Sequence, residues 1–122
     1  MKYENLEKRL IDFAALIVKI VEYIPDTRAA NHLAGQLLRS GTSPALNCGE
    51  ARAGESTRDF LHKMRIALKE LRETFVCLKV IYNTKLFSSE NDLMDALKES
   101  NELISIFVAS CKTVQKKAEK GF

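Results

Sequence analysis

Two pairs of residues in this chain have types and a spacing that could support chemistry: Arg28 with His32, and Arg58 with His62. On a helix, residues four apart share a face one turn apart. An arginine and a histidine held together in this way are what a ribonuclease would use. Helical-bundle ribonucleases of the HEPN type carry Arg-x4–6-His, however, and the spacing here is Arg-x3-His, which any solvated helix face also produces. The spacing therefore argues against an enzyme, and no catalytic residue is assigned.

Asn47, Glu50, Glu70 and Glu73 are polar residues within heavily apolar helical stretches. A carboxylate-bridged metal site in a helix bundle needs several glutamates and a Glu-x-x-His motif. No Glu-x-x-His occurs in the sequence. Asn47 and Glu50 are expected instead to bond backbone groups freed at a nearby kink, or to pair with Arg39, Arg52 or Arg72, since interior polar groups find partners. Cys48, Cys77 and Cys111 are odd in number, widely spaced and without a CxxC pair. Such cysteines read as reduced, buried thiols rather than metal ligands. Neither metal nor cofactor is expected.

Charge offers a second kind of chemistry. The formal net charge is only +3, but it is unevenly spread. Residues 26–85 hold ten Lys/Arg against six Asp/Glu. Residues 86–111 reverse the sign, with Lys98 alone against Glu90, Asp92, Asp95, Glu99 and Glu102. Lys112, Lys116, Lys117 and Lys120 then restore the positive sign against Glu119. Arg39, Arg52, Arg58, Lys63, Arg65, Lys69 and Arg72 are the candidates for a surface facing nucleic-acid phosphates. The competing reading of the same residues is a solvated helix face with salt bridges between subunits. Aromatic residues do not interleave with these cations, so stacking on single-stranded bases is not supported.

The elements that must position these residues are helical. In the stretch from Ser56 to Asn83, Leu61, Met64, Leu68, Leu71, Phe75, Leu78 and Tyr82 recur at spacings of three and four, flanked by Phe60, Ala67, Thr74 and Ile81. That is the stripe of a helix laid against partner helices. A first helix runs from about Glu4 to Tyr23 on Leu6, Leu10, Phe13, Ile17, Ile20 and Ile24. Pro25-Asp26-Thr27 breaks the chain, and Asp26 or Thr27 can cap the next helix. The second helical stretch, residues 27–53, should be interrupted at Gly41, restarted by Ser43 as cap and Pro44 at the first helical position, and ended at Gly54. Ser43, Pro44, Asn47 and Glu50 thus form a structural hinge. Ser56-Thr-Arg-Asp59 opens helix three as a capping box. Ser88 or Ser89 caps helix four, whose stripe is Leu93, Leu97, Ser100, Ile104, Phe107, Cys111 and Val114 and which frays after Lys117. Short connections between long helices predict an all-α, antiparallel up-and-down four-helix bundle with a kinked second helix.

The 122 residues are 46% hydrophobic with two prolines, which suits one helical domain over 1–122. The apolar run Phe13 to Val18 is too short to cross a bilayer, and no signal peptide opens the chain. A cytoplasmic protein without membrane contact is the expectation.

The stretch from Leu37 to Arg52, together with Asp59 to Thr74, resembles the bacterial four helix bundle protein family, also called the 23S rRNA intervening-sequence protein family. Arg39, Ser43, Pro44, Asn47, Glu50, Arg52, Phe60, Ala67, Leu68, Leu71 and Glu73 fall on the family pattern. At Cys48-Gly49-Glu50-Ala51 the chain departs from it, where many members show Ile-Ala-Glu-Gly. The resemblance implies a left-handed bundle assembling as a ring, commonly a homopentamer, in a family for which no catalytic activity is established. It also implies kinship with the accessory variability proteins of retroelements, basic pentamers that bind nucleic acid and a reverse transcriptase. Together, residues and resemblance lead to the expectation of a non-enzymatic homo-oligomeric scaffold associated with RNA or DNA backbone. A protein-binding adaptor, recruiting its partner through helices one and four, is the alternative.

Overall fold

The computed structural model describes the backbone of residues 3–50 and 56–120 and the side chains of residues 5–48 and 56–120. Four helices make up the fold: α1 (Tyr3–Glu22), α2 (Arg28–Glu50), α3 (Thr57–Thr84) and α4 (Glu90–Glu119). Among the described residues there is no strand. α3 packs on α2 and on α4, and α1 closes the set by packing on α2 and α4. Contacts pair Arg9 with Glu99, Lys19 with Asp92, Leu33 with Cys77 and Ser40 with Thr74. Residue numbers therefore rise along one helix as they fall along its partner. This is a four-helix bundle, and no helix among the described residues is long and apolar enough to cross a membrane.

α2 and α3 begin where a side-chain oxygen satisfies an orphan N–H group. The Ala30 N–H donates to Thr27 Oγ1 at 3.1 Å, and the Asp59 N–H donates to Ser56 Oγ at 3.1 Å, so Thr27 and Ser56 act as the expected caps. At α4 Ser89 holds the cap position without bonding a backbone N–H. Its hydroxyl lies 3.2 Å from Asp92 Oδ2. α3 ends on Lys85, which takes the left-handed conformation at φ 57°. There the N–H groups of Lys85 and Leu86 turn back to the carbonyls of Tyr82 and Ile81, the paired closure that ends many helices.

The core is a single apolar column. Leu10, Phe13, Ile17, Leu37, Leu71, Leu78, Ile81, Leu93, Leu103 and Phe107 are essentially inaccessible to solvent. In α3 the buried line is Leu61, Met64, Ala67, Leu71, Thr74, Cys77, Leu78 and Ile81. The outer members of the expected stripe, Leu68 and Phe75, are half-buried, and Tyr82 is exposed. Among the described residues three polar ones share the interior: Ser40, Thr74 and Ser100. Thr74 Oγ1 is 2.8 Å from Ser40 Oγ and 2.8 Å from the Glu70 carbonyl. A hydroxyl has one proton, so Thr74 donates to the carbonyl and accepts from Ser40.

The second helix differs from its sequence expectation. Residues Arg28–Glu50 form one helix with Pro44 inside it, and Gly41 does not adopt the left-handed conformation. Gly41 is there for closeness, not for ending a helix. A Cβ at that position would lie 2.8 Å from Ile17 Cγ1 and 2.9 Å from Cγ2, both inside the core. The glycine lets α1 and α2 approach where Ile17 is fully buried. The expected break at Gly54 lies outside the described residues.

Gly41 and Gly35 make a controlled comparison, since both are helical and only one is crowded. Replacing a helical glycine by alanine stabilises by about 1 kcal/mol when nothing opposes it. Gly35→Ala, with nothing within 4 Å of the new methyl, should stabilise by roughly 0.5–1 kcal/mol. Gly41→Ala should instead destabilise by about 1–3 kcal/mol, because the methyl overpacks Ile17. Urea denaturation of both variants checks the opposite signs.

Candidate nucleic-acid interface

Arg58, Arg65, Lys69 and Arg72 succeed one another along α3 at steps of seven, four and three, which keeps them on one helix face. All four are exposed, and the buried line through Ala67, Leu71, Thr74 and Leu78 lies on the opposite side of the helix. At 1.5 Å per residue the row extends for about 21 Å. None of the four makes an ion pair among the described residues, and Arg65 instead donates to Gln115 Oε1 at 2.8 Å. That bond sets the start of α3 beside the end of α4, bringing exposed Lys112 and Lys116 to the same end of the molecule. The basic tail of α4 is plain in the sequence, but only the packing of the helices places it next to α3.

The remaining basic candidates go elsewhere. Arg39 is clamped to two carboxylates of α3, donating from Nη1 to Glu70 Oε2 at 2.8 Å and from Nη2 to Glu73. Its charge is neutralised in place, so it does not join the row. Lys63 is half-buried, off the face that carries the other four. Arg52 lies outside the described residues. At the expected hinge, Ser43 is half-buried and Pro44 buried within continuous helix, and Asn47 Nδ2 donates to Ser43 Oγ at 3.1 Å. Asn47 thus bonds within its own helix and pairs with no arginine among the described residues. Glu50 is the last residue of α2, and its side chain lies outside the described residues. Glu70 and Glu73, expected only as polar residues needing partners, are the anchors of Arg39.

The acidic half of α4 is partly used within the chain. Arg9 of α1 reaches Glu99 at 2.6 Å and Glu102 at 3.5 Å, and Lys19 reaches Asp92 at 3.6 Å. Both Arg-x3-His pairs sit on exposed surface, with Arg28, His32, Arg58 and His62 all solvent-facing. No group of three or more His, Cys, Asp or Glu residues among the described residues is arranged to hold a metal.

The three cysteines are buried thiols. Burial pushes the Cys48 thiol up to about 11, with the carboxylate of Glu7 adding to the effect. Cys77 is raised by burial and then by Glu73. Cys111 is raised by burial against the opposing pull of Arg65.

The class of protein is thus an all-α four-helix bundle with one polarised basic ridge. Residues 5–109 match the 23S rRNA-intervening sequence protein family, and the chain belongs to it. Among solved structures it is similar to a protein of unknown function from the S23 ribosomal protein family of Bacteroides thetaiotaomicron. The two are 29% identical with a TM-score of 0.81, over 92% of this chain and 99% of that one. No curated protein matches the chain.

The Cys48 shift has a measurable consequence. Its folded value near 11 stands above the ordinary 9.0, so the folded state holds the proton more tightly than the unfolded one. The associated stability is fully present below pH 9 and is lost as pH rises toward 11. Unfolding free energy measured between about pH 8 and 11 should fall, with a slope of up to about 1.4 kcal/mol per pH unit from this group. Cys48→Ala should flatten that fall.

Proposed function

We propose that the chain is a non-enzymatic, self-assembling scaffold that holds nucleic-acid backbone along the outer ridge of α3. The observation that carries this reading is the row Arg58, Arg65, Lys69 and Arg72, exposed and without carboxylate partners among the described residues. Phosphates complement such a row, and no aromatic side chain stands in it to stack on bases. Binding is then set by backbone charge, independent of sequence and sensitive to salt. Repeating one modest ridge around a ring multiplies its field. A cytoplasmic homopentamer, with Lys112 and Lys116 extending each ridge, is the assembly that fits the family resemblance. RNA is the natural first ligand, since the family takes its name from intervening sequences of 23S rRNA.

A protein-binding adaptor is the second reading. It is favoured by large apolar side chains left in solvent on α1 and α4, with Ile11 54% and Met94 51% exposed.

Retention on heparin and affinity for a structured RNA, measured across a salt series, separate the two. Four phosphate contacts per subunit imply a loss of about a hundredfold in affinity between roughly 50 and 200 mM salt. Arg65→Glu with Lys69→Glu should lower affinity by about tenfold or more while leaving the mass in solution unchanged. Affinity indifferent to both salt and charge reversal favours the adaptor.

Catalysis is tested separately. Incubation with structured RNA should yield no cleavage by the wild-type chain, nor by His32→Ala or His62→Ala. Cleavage by the wild type that disappears in either variant would overturn the non-enzymatic reading.

A further inference from the structure

Between α2 and α3 lies an open groove of about 500 Å³, lined by Leu33, Val76, Cys77 and Val80 and bordered by Gln36, Arg72 and Glu73. Its apolar wall faces solvent, with Val76 54% and Val80 39% exposed. The charges at its border are not equivalent. Glu73 is occupied by Arg39, whereas Arg72 makes no ion pair among the described residues. A fitting occupant must supply an apolar group flanked by carboxylate.

The chain carries that group itself. Tyr23 is 73% exposed, more than any other large hydrophobic side chain described. It stands in the connection between α1 and α2, flanked by exposed Glu22 at the end of α1 and by exposed Asp26, whose Oδ1 accepts from Asn31 Nδ2 at 2.8 Å. The connection is held in shape by backbone bonds: Tyr23 N–H to Ile20 O at 3.1 Å, Ile24 N–H to Val21 O at 3.3 Å and Thr27 N–H to Pro25 O at 3.1 Å. Tyr23 is therefore presented with little ordering cost on binding. Tyrosine combines large contact area with few rotatable bonds, which is why it anchors interfaces.

We propose that the Tyr23 turn of one copy seats in the α2/α3 groove of the next, with Glu22 and Asp26 facing Arg72. Knob and socket are different surfaces of one subunit, so the contact is heterologous, and repetition closes into a ring where the rotation permits. The inference rests on the self-assembly in the proposed function and names the contact that produces it. It assigns Arg72 to the seam between subunits, so that Arg58, Arg65 and Lys69 remain for the polyanion and the loss of affinity over the same salt range becomes about fortyfold in the assembled ring.

Sedimentation of the full chain over a range of concentrations tests the contact. Tyr23→Ala and Arg72→Glu should each weaken association by about tenfold or more with helical content unchanged. Glu22→Arg with Asp26→Arg, combined with Arg72→Glu, should restore it, and Tyr23→Phe should resemble the wild type. Tyr23→Cys and Val76→Cys chains, each also carrying Cys77→Ala, differently tagged and co-expressed, should form a mixed disulfide that neither forms alone. An oligomer untouched by Tyr23→Ala and Arg72→Glu, or one weakened by Arg72→Glu with neither restoration nor mixed disulfide, overturns this contact and leaves self-assembly standing. A wild-type chain monomeric at every concentration overturns both. A different protein that stays bound to Tyr23→Ala but is lost on Val76→Glu would assign the groove to that partner and overturn the proposal.

Discussion

Burial of one line of side chains on α3 governs the rest of the molecule. Ala67, Leu71, Thr74 and Leu78 are sealed from water because α3 has a helix on either side of it. A helix that buries a line on one side must present the opposite side to solvent. In α3 that opposite side carries Arg58, Arg65, Lys69 and Arg72. The basic ridge is thus the outward consequence of the core, and its straightness is inherited from the helix. Lys63, of the same charge and in the same helix, falls off the ridge only because its residue number puts it at another angle.

Partnership within the chain then sorts the charges a second time. Arg39 and Arg72 are both exposed arginines near Glu73, yet only Arg39 spans the cleft to hold Glu70 and Glu73 together. Side-chain burial gives that clamp its structural character: Glu70 is 14% exposed and would carry a poorly solvated charge without the guanidinium. On the other side of the bundle, Arg9 and Lys19 draw on the acidic start of α4 in the same way. Net charge cannot convey this sorting. What matters for an external ligand is the charge that remains after internal pairing, and on α3 that remainder is positive and linear.

Much of this is legible in the sequence, for identifiable reasons. Four helices and their spans derive from apolar periodicity and from cap residues such as Thr27 and Ser56, whose signals act within a few residues. The shared face of Arg58, Arg65, Lys69 and Arg72 comes from spacing alone. The second helix is harder, because Gly41 and Ser43-Pro44 look, locally, like a stop and then a start. A glycine has two uses, conformational freedom and absence of bulk, and sequence does not say which is in play. The answer lies with Ile17, twenty-four residues away in the chain, whose side chain occupies the space a Cβ would need. The fate of Arg39 is hidden for the same reason. Choosing among Asn47, Glu50, Glu70 and Glu73 as its partner requires knowing how α2 and α3 lie against each other. The α2/α3 groove is equally out of reach, being formed by Leu33 and Val76 from separate helices and announced by neither.

The buried Ser40–Thr74 pair shows why that mutual placement is specific. An all-apolar helix seam tolerates sliding by a turn, since one leucine replaces another at little cost. Two hydroxyls facing each other in a dry core do not, because either one displaced loses its partner and leaves a polar group unsatisfied. The pair sits one residue from both Arg39 and Gly41 on α2, and one from Glu73 on α3. The register of α2 on α3 therefore fixes two things at once: the arginine clamp and the groove beside it. A slip of one turn would break the hydroxyl pair, separate Arg39 from its carboxylates and move Leu33 away from Cys77. The polar pair thus acts as a positional key for the surface features around it.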